Sequence, residues 1–232
     1  MAHPRAFVLS SPDRMTQMTA PPDQAEPPAR RAPHTAASPR NASGRHPAYD
    51  RLRGRTIVLV GLMGAGKTTV GRGLAAALDL PFKDADAEIE RAADRSVAEI
   101  FAEHGEAAFR DGERRVIARL LTQEPPHVLA AGGGAFMHPE TRTLVRRVAL
   151  GVWLKGDLEV LARRVARRNT RPLLHGKDPL QVLGDLAAQR YAHYAQAQVT
   201  VETGDAGAAE SVAAVLDALA AHLDAAPSGE PS

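Results

Sequence analysis

The chain has 232 residues, enough for one sizeable domain and a tail, with 29 Lys plus Arg against 27 Asp plus Glu and a formal net charge of +2. That balance points neither to nucleic acid nor to an anionic membrane surface as a partner. There is no cysteine, which excludes disulfides and cysteine-ligated metal sites and gives no sign of an oxidising compartment, and no apolar run is long enough to span a bilayer, so a cytoplasmic protein is expected.

Residues 1–54 carry eight Arg or Lys against four Asp or Glu, leaving 21 against 23 for the rest, and they hold nine of the 17 prolines. This stretch has no periodicity and little to bury, so residues 1–53 are expected to form a disordered tail. The apolar patch AFVLS is too short for a secretory signal. A transit peptide or an alternative start at Met15 or Met18 are other readings of the same residues.

From Thr56 the texture changes. TIVLV reads as a buried strand, and Lys67–Leu78 reads as a helix with Val70, Leu74, Ala77 and Leu78 on one face. LPFKDAD is a short strand ending in acids, and residues 86–122 read as two or three helices broken near Gly105. HVLAA is a strand that stops at three glycines, Pro139 opens a helix, and VALGVWL is a strand with Asp157 as N-cap of the helix after it. NTRPLLHGKDP is a loop, a helix runs from about Pro179 to Ala197, QVTVET is the last strand, and residues 207–223 close the fold before a frayed end at 225–232. Strands alternating with helices predict an α/β fold, a parallel five-stranded sheet covered on both faces, with ligands beyond the carboxyl ends of its strands.

Gly61-Leu62-Met63-Gly64-Ala65-Gly66-Lys67-Thr68 fits the phosphate-loop pattern G-x-x-x-x-G-K-[ST] at every fixed position, between a strand and a helix. Glycines let the backbone turn its N–H groups onto phosphate oxygens, and the helix adds its positive end. Lys67 reaches the outer phosphates and Thr68 ligates Mg²⁺. A GTPase would carry an Asn-Lys-x-Asp motif, yet Asn41 and Asn169 are the only asparagines and neither precedes lysine. A motor-type ATPase would end a strand in Asp-Glu, where this chain has Gly132-Gly133-Gly134. A small-molecule kinase remains.

Asp84 and Asp86, at i and i+2, can share one mouth, one for the metal and one for the proton of an attacking hydroxyl, although an acidic turn with Asp86 as N-cap gives the same pattern. Arg110 can pair with Glu113 at i+3 and border a cleft, or be an ordinary surface arginine. The triple glycine suits a ligand lying against bare backbone, or a flexible turn. Arg171, held extended before Pro172, can close over a transferring phosphoryl group. Arg163, Arg164, Arg167 and Arg168 read mostly as a solvated basic face. Arg190 falls inside the apolar stripe Leu183, Leu186, Ala187, Tyr191 and Tyr194 and needs a partner, structural or a substrate anion.

Taken in order, GLMGAGKTT, DAD, FRDGE, GGG, RPLL and the QR-x-x-x-Y helix resemble the shikimate kinases over about residues 55–220. The resemblance implies a nucleoside-monophosphate-kinase-like fold, a domain over 54–224 with a substrate-binding region at 86–122 and a lid at about 165–178, and ATP-dependent phosphorylation of the 3-hydroxyl of shikimate. It implies that Gly61, Met63, Gly64, Ala65, Gly66, Lys67, Thr68 and Thr69 serve ATP, that Thr68 and Asp84 serve magnesium, and that Asp86 is the base and holds hydroxyls. Arg110 and Arg190 would clamp the carboxylate, Gly132, Gly133 and Gly134 would line the pocket, Arg171 would touch the γ-phosphate, and Arg164 would stack on adenine. The turn ETGDAG departs from the family's usual basic or asparagine-containing turn near adenine, and the tail has no counterpart in compact members. Gluconate kinases share the loop and are the nearest alternative. A nucleotide-binding regulator without catalysis is another, but such a protein would lack Asp86, Lys67 or Arg171, all present here. Shikimate is thus the expected partner, with no nucleic acid, no membrane and a monomeric state.

Overall fold

The computed structural model describes residues 46–167, 178–205 and 207–225. Its centre is β1 (Thr56–Val60), every residue of which is buried. The run of Thr, Ile, Val and Leu has one polar side chain, and the Thr56 hydroxyl is paired with His127, so the strand tolerates cover on both faces. Around it stand β2 (Phe82–Asp84), β3 (Val128–Ala130), β4 (Ala149–Gly156) and β5 (Val199–Thr203), in the order β2-β3-β1-β4-β5, and every pairing is parallel. β5 lies at the edge and shows it, with Thr200 and Glu202 exposed between buried residues. The register sets Leu59 and Asp84 both opposite Ala130, so β1, β2 and β3 end level with one another.

Eight helices are described: α1 (Ala48–Leu52), α2 (Lys67–Leu78), α3 (Ala85–Ala93), α4 (Val97–Gln123), α5 (Pro139–Val148), α6 (Leu158–Ala166), α7 (Pro179–Tyr194) and α8 (Ala208–Ala225). α2 packs with α8, and α5 lies on β4. A Cβ on Gly73 of α2 would stand 2.7 Å from Val212 of α8, so the missing side chain sets how closely those helices approach. Local chemistry marks the helix ends. Ser96 and Glu99 form a reciprocal capping box on α4, Asp157 caps α6 by accepting from the N–H groups of Glu159 and Val160, and Asp178 caps α7. Gly105, at φ 75° and ψ 175°, breaks α4 into two helices where the sequence places the break.

Three features differ from the sequence-based expectation. The folded part starts before residue 54: α1 buries Ala48 and Leu52, packs on α8, and pairs Arg51 with Asp224 at 2.5 Å. The apolar pair at i and i+4 is a helical signal, but too short to stand out beside a proline-rich stretch. α7 ends at Tyr194, three residues early, where Ala195, Gln196 and Ala197 turn back by donating to carbonyls of the last helical turn. A 3-10 turn at Ala135–Met137 follows the triple glycine, clamped by Arg142 Nη1 donating to the carbonyls of Phe136 and Met137. Residues 1–45 and 226–232 of the expected tails, and 168–177 of the expected lid, lie outside the described residues.

Below the sheet, away from its carboxyl ends, His127 is fully buried, with Nδ1 against the Glu124 carbonyl and the Thr56 hydroxyl. Burial lowers its pKa, with Lys83 adding to the effect and the Glu124 carbonyl opposing it. The unfolded chain therefore binds a proton below about pH 6.5 that the native core refuses, so stability is intact above that pH and is lost as pH falls below it. Thermal midpoints measured between about pH 8 and pH 5 are expected to fall on the acid side, and the fall should be shallower in His127→Gln, whatever its starting stability.

Candidate active site

The phosphate loop leaves β1 and turns twice through backbone that a side chain rarely adopts, at Gly64 (φ 82°) and Gly66 (φ 88°). Gly66 is the N-cap of α2, which puts the positive end of that helix and the first side chains after it, Lys67 and Thr68, at the loop. Lys67 Nζ donates to the loop's own carbonyls, Gly61 at 2.9 Å and Leu62 at 3.1 Å. Thr68 donates its hydroxyl to Asp84 Oδ2 at 3.0 Å, and the other oxygen of that carboxylate accepts the N–H of Asp86 at 3.2 Å. Asp84, not Asp86, is therefore the N-cap of α3. The cap leaves Asp86 on the first turn of α3, lining the cleft.

The cleft has a volume of about 410 Å³ and runs along the carboxyl ends of the strands. Its walls are Gly64–Val70, Asp84, Asp86, Ala130–Gly133, Arg164, Val165, Arg167, Ala208 and Ser211. Of the loop residues expected at a nucleotide, Gly64, Ala65, Gly66, Lys67, Thr68 and Thr69 line it, whereas Met63 is buried in the core at 6% exposure. Arg164 lines it too, with Nη2 donating to the Gly204 carbonyl at 2.7 Å, so this side chain is tied to the turn after β5. The neighbouring Arg163 pairs with Asp205 of the same turn at 2.8 Å. Arg171 lies outside the described residues.

Beside the phosphate end, three elements close on the glycine run. A Cβ on Gly132 would collide with Glu113 Oε1 and stand 3.3 Å from Asp86 Oδ1; on Gly133 it would stand 3.0 Å from Arg190 Nη1; on Gly134 it would stand 2.5 Å from Arg110 Cζ. None of the three has a positive φ. They are glycines because side chains from α3, α4 and α7 occupy the space where their own would be. The bare backbone predicted from the sequence is there, but protein side chains lie on it. Arg190 Nη1 and Tyr194 Oη both donate to the Gly133 carbonyl, at 3.1 and 2.6 Å. The partner that the apolar stripe demanded for Arg190 is thus in part a main-chain oxygen.

Arg110 donates to Glu113 Oε2 at 2.8 Å and reaches Glu106 at 3.3 Å. Glu113 is 1% exposed, and its other oxygen, Oε1, has no hydrogen-bond partner. Burial raises the Glu113 pKa above the ordinary carboxylate range; Arg110 opposes this and Asp86 adds to it. Burial alone would lower the Arg110 pKa, but Glu113 and Glu106 more than reverse it. The result is a cationic arm held by a costly buried carboxylate. Thr68 and Asp84 present hard oxygen donors beside the phosphate loop, a set that suits a magnesium ion shared with phosphates. Among the described residues, no group of three or more His, Asp or Glu forms a metal cage of its own.

The sequence reasoning missed Tyr194 as a polar group, Arg167 as a wall of the cleft and Ser211 at its far end. Tyr194 had a signal, standing one turn from Arg190 on the same stripe. Ser211 had none, since the β5–α8 turn brings it in from 40 residues beyond Arg171. The described residues thus place a phosphate loop, two aspartates, two arginines and the glycine run at one end of the sheet.

A family model described as shikimate kinase matches residues 63–220. A shikimate kinase of Caulobacter vibrioides is 65% identical over 168 residues, covering 72% of this chain and 84% of that one. A shikimate kinase of Paramagnetospirillum magneticum is 53% identical over 171 residues, covering 74% and 87%. Among solved structures, the shikimate kinase of Acinetobacter baumannii in complex with shikimate is 36% identical with a TM-score of 0.69, covering 75% of this chain and 98% of that one. With the model spanning more than half of the sequence and relatives this similar across most of their length, the chain belongs to the shikimate kinase family.

Proposed function

We propose that the protein transfers the γ-phosphoryl group of ATP to the 3-hydroxyl of shikimate, yielding shikimate 3-phosphate and ADP, a step toward chorismate and the aromatic amino acids. The observation that carries this reading is a cleft lined by the phosphate loop, Asp86, Gly132 and Gly133, with Arg190 against Gly133 and Arg110 against the adjoining Gly134. A polyhydroxylated carboxylic acid needs cations for its carboxylate and an acceptor for a hydroxyl proton; Asp86 lines the cleft with the loop, and the two arginines stand against the adjoining glycines.

The steps follow from the groups present. Backbone N–H groups of Gly64–Thr69 and the N-terminus of α2 take the phosphates. Lys67 exchanges the Gly61 and Leu62 carbonyls for phosphate oxygens, so the loop gives up two internal hydrogen bonds when it is filled. Thr68 and Asp84 would hold magnesium, which neutralises phosphate charge when bound. Arg110 and Arg190 hold the shikimate carboxylate at one end, which leaves the ring hydroxyls toward Asp86. The Asp86 carboxylate accepts the proton of the attacking 3-hydroxyl. Arg164 flanks the nucleobase and Arg171 supplies charge from the lid. Closing a lid over the cleft keeps water from the phosphoryl group.

The same reading makes the protein a cytoplasmic monomer acting on a small molecule, with neither nucleic acid nor membrane as partner. The near-neutral charge and the lack of cysteine favour the first and last parts of it.

ADP release with MgATP is expected to require shikimate and not to respond to gluconate. Release with gluconate alone would reverse the acceptor assignment, and ATP binding without release from either acid would make the protein a regulator. Asp86→Asn is expected to lower kcat by about 10² to 10⁴ with nucleotide affinity, measured by titration, almost unchanged. A variant that keeps its kcat would remove Asp86 from the base role. Gly134→Ala pushes Arg110 off its place and is expected to raise the KM for shikimate at least about tenfold, with the KM for ATP unaltered.

A further inference from the structure

Arg190 and Tyr194 stand one turn apart on α7, and their outer atoms meet on the same carbonyl, that of Gly133. Tyr194 is fully buried, with its ring 6.0 Å from that of Trp153 in β4. Trp153 in turn makes an edge contact with Tyr191 at 5.0 Å. The phenol is therefore a strut running from the middle of the sheet to the glycine strip. A phenylalanine would fill this space as well as a tyrosine, and a buried hydroxyl costs free energy unless it is paired. The hydroxyl at this position is spent on one main-chain oxygen.

That oxygen matters because of what else shares its peptide. The only cis peptide among the described residues is Pro125–Pro126, so the Gly133–Gly134 bond is trans. In a trans peptide the carbonyl and the following N–H point in opposite directions. Drawing the Gly133 carbonyl onto α7 turns the Gly134 N–H away from α7. Glycine at this position has no side chain to hold its own backbone dihedrals, so an outside contact must do so. Arg190 commits one N–H to the same carbonyl and also hydrogen-bonds the Tyr194 hydroxyl; a guanidinium has five N–H groups, so some are left for a carboxylate. Burial raises the Tyr194 pKa, with Arg190 opposing, so the phenol stays a neutral donor across the working pH range.

We infer that Tyr194 is a positioning residue for the acceptor: its hydroxyl holds the Gly133 peptide, and through it the Arg190 guanidinium, in the arrangement that receives the substrate carboxylate. The inference rests on the reading of this cleft as the shikimate site.

The test is Tyr194→Phe, which removes one oxygen and keeps the ring, assayed by steady-state kinetics in both substrates together with a thermal midpoint. The KM for shikimate is expected to rise roughly fivefold while the KM for ATP stays within about twofold. In an Arg190→Ala background the same change is expected to add less than half of its effect, because the guanidinium it positions is gone. An unchanged KM for shikimate would overturn the inference. So would a parallel rise in both KM values with a lowered midpoint, which a merely structural tyrosine would give, or full additivity with Arg190→Ala. If the unaltered protein releases no ADP in response to shikimate, the functional reading fails instead, and the two failures are told apart in one experiment.

Discussion

Between β3 and the 3-10 turn the chain carries no side chain for three residues, and the surroundings close on that gap. Glu113 and Asp86 approach Gly132, Arg190 and Tyr194 approach Gly133, and Arg110 approaches Gly134. Charged side chains that would otherwise stand apart on α3, α4 and α7 are drawn to one strip of backbone. Their charges then act on one another: burial raises the proton affinity of Glu113 and Asp86 adds to it, while Glu113 and Glu106 raise that of Arg110. A methyl group at any of the three positions would displace a different member of the set, so the strip orders the acceptor side by what it lacks.

The donor side depends on a second economy, the Asp84 carboxylate. One oxygen accepts the Thr68 hydroxyl and the other caps α3, so the loop after β1 and the helix after β2 are joined through one residue at the end of an edge strand. The level ends of β1, β2 and β3 make this possible. α6 closes the cleft from the other flank, with Arg164 fastened to the turn after β5.

Much of this was legible in the sequence because it is local. The phosphate loop needs its glycines at φ values that only glycine takes readily, and the capping residue Asp157 announces its helix by identity. Strands β1 and β4 are apolar apart from Thr56 and Lys155 because both of their faces are covered. The rest was hidden because it depends on distant approach. The pattern around Asp84 and Asp86 fits either residue as the cap, and the backbone geometry of α3 decides for Asp84. The reason for three glycines is invisible without knowing that α4 and α7 pass over them. Tyr194 reads as one more apolar position until its hydroxyl is seen to find Gly133.

The shikimate kinase family model matches from residue 63, yet the folded unit begins earlier. Leu52 is 2% exposed and Ala48 1%, both against a core they share with the sheet. Removing a buried leucine costs about 2–5 kcal/mol, and a domain of this kind has roughly 5–15 kcal/mol in total. A shortened chain cut at the first strand would keep every residue of the cleft and lose a substantial share of what keeps it folded. The boundary of the chemistry and the boundary of the cooperative unit are different places in this chain, and α1 is the part that belongs to the second alone.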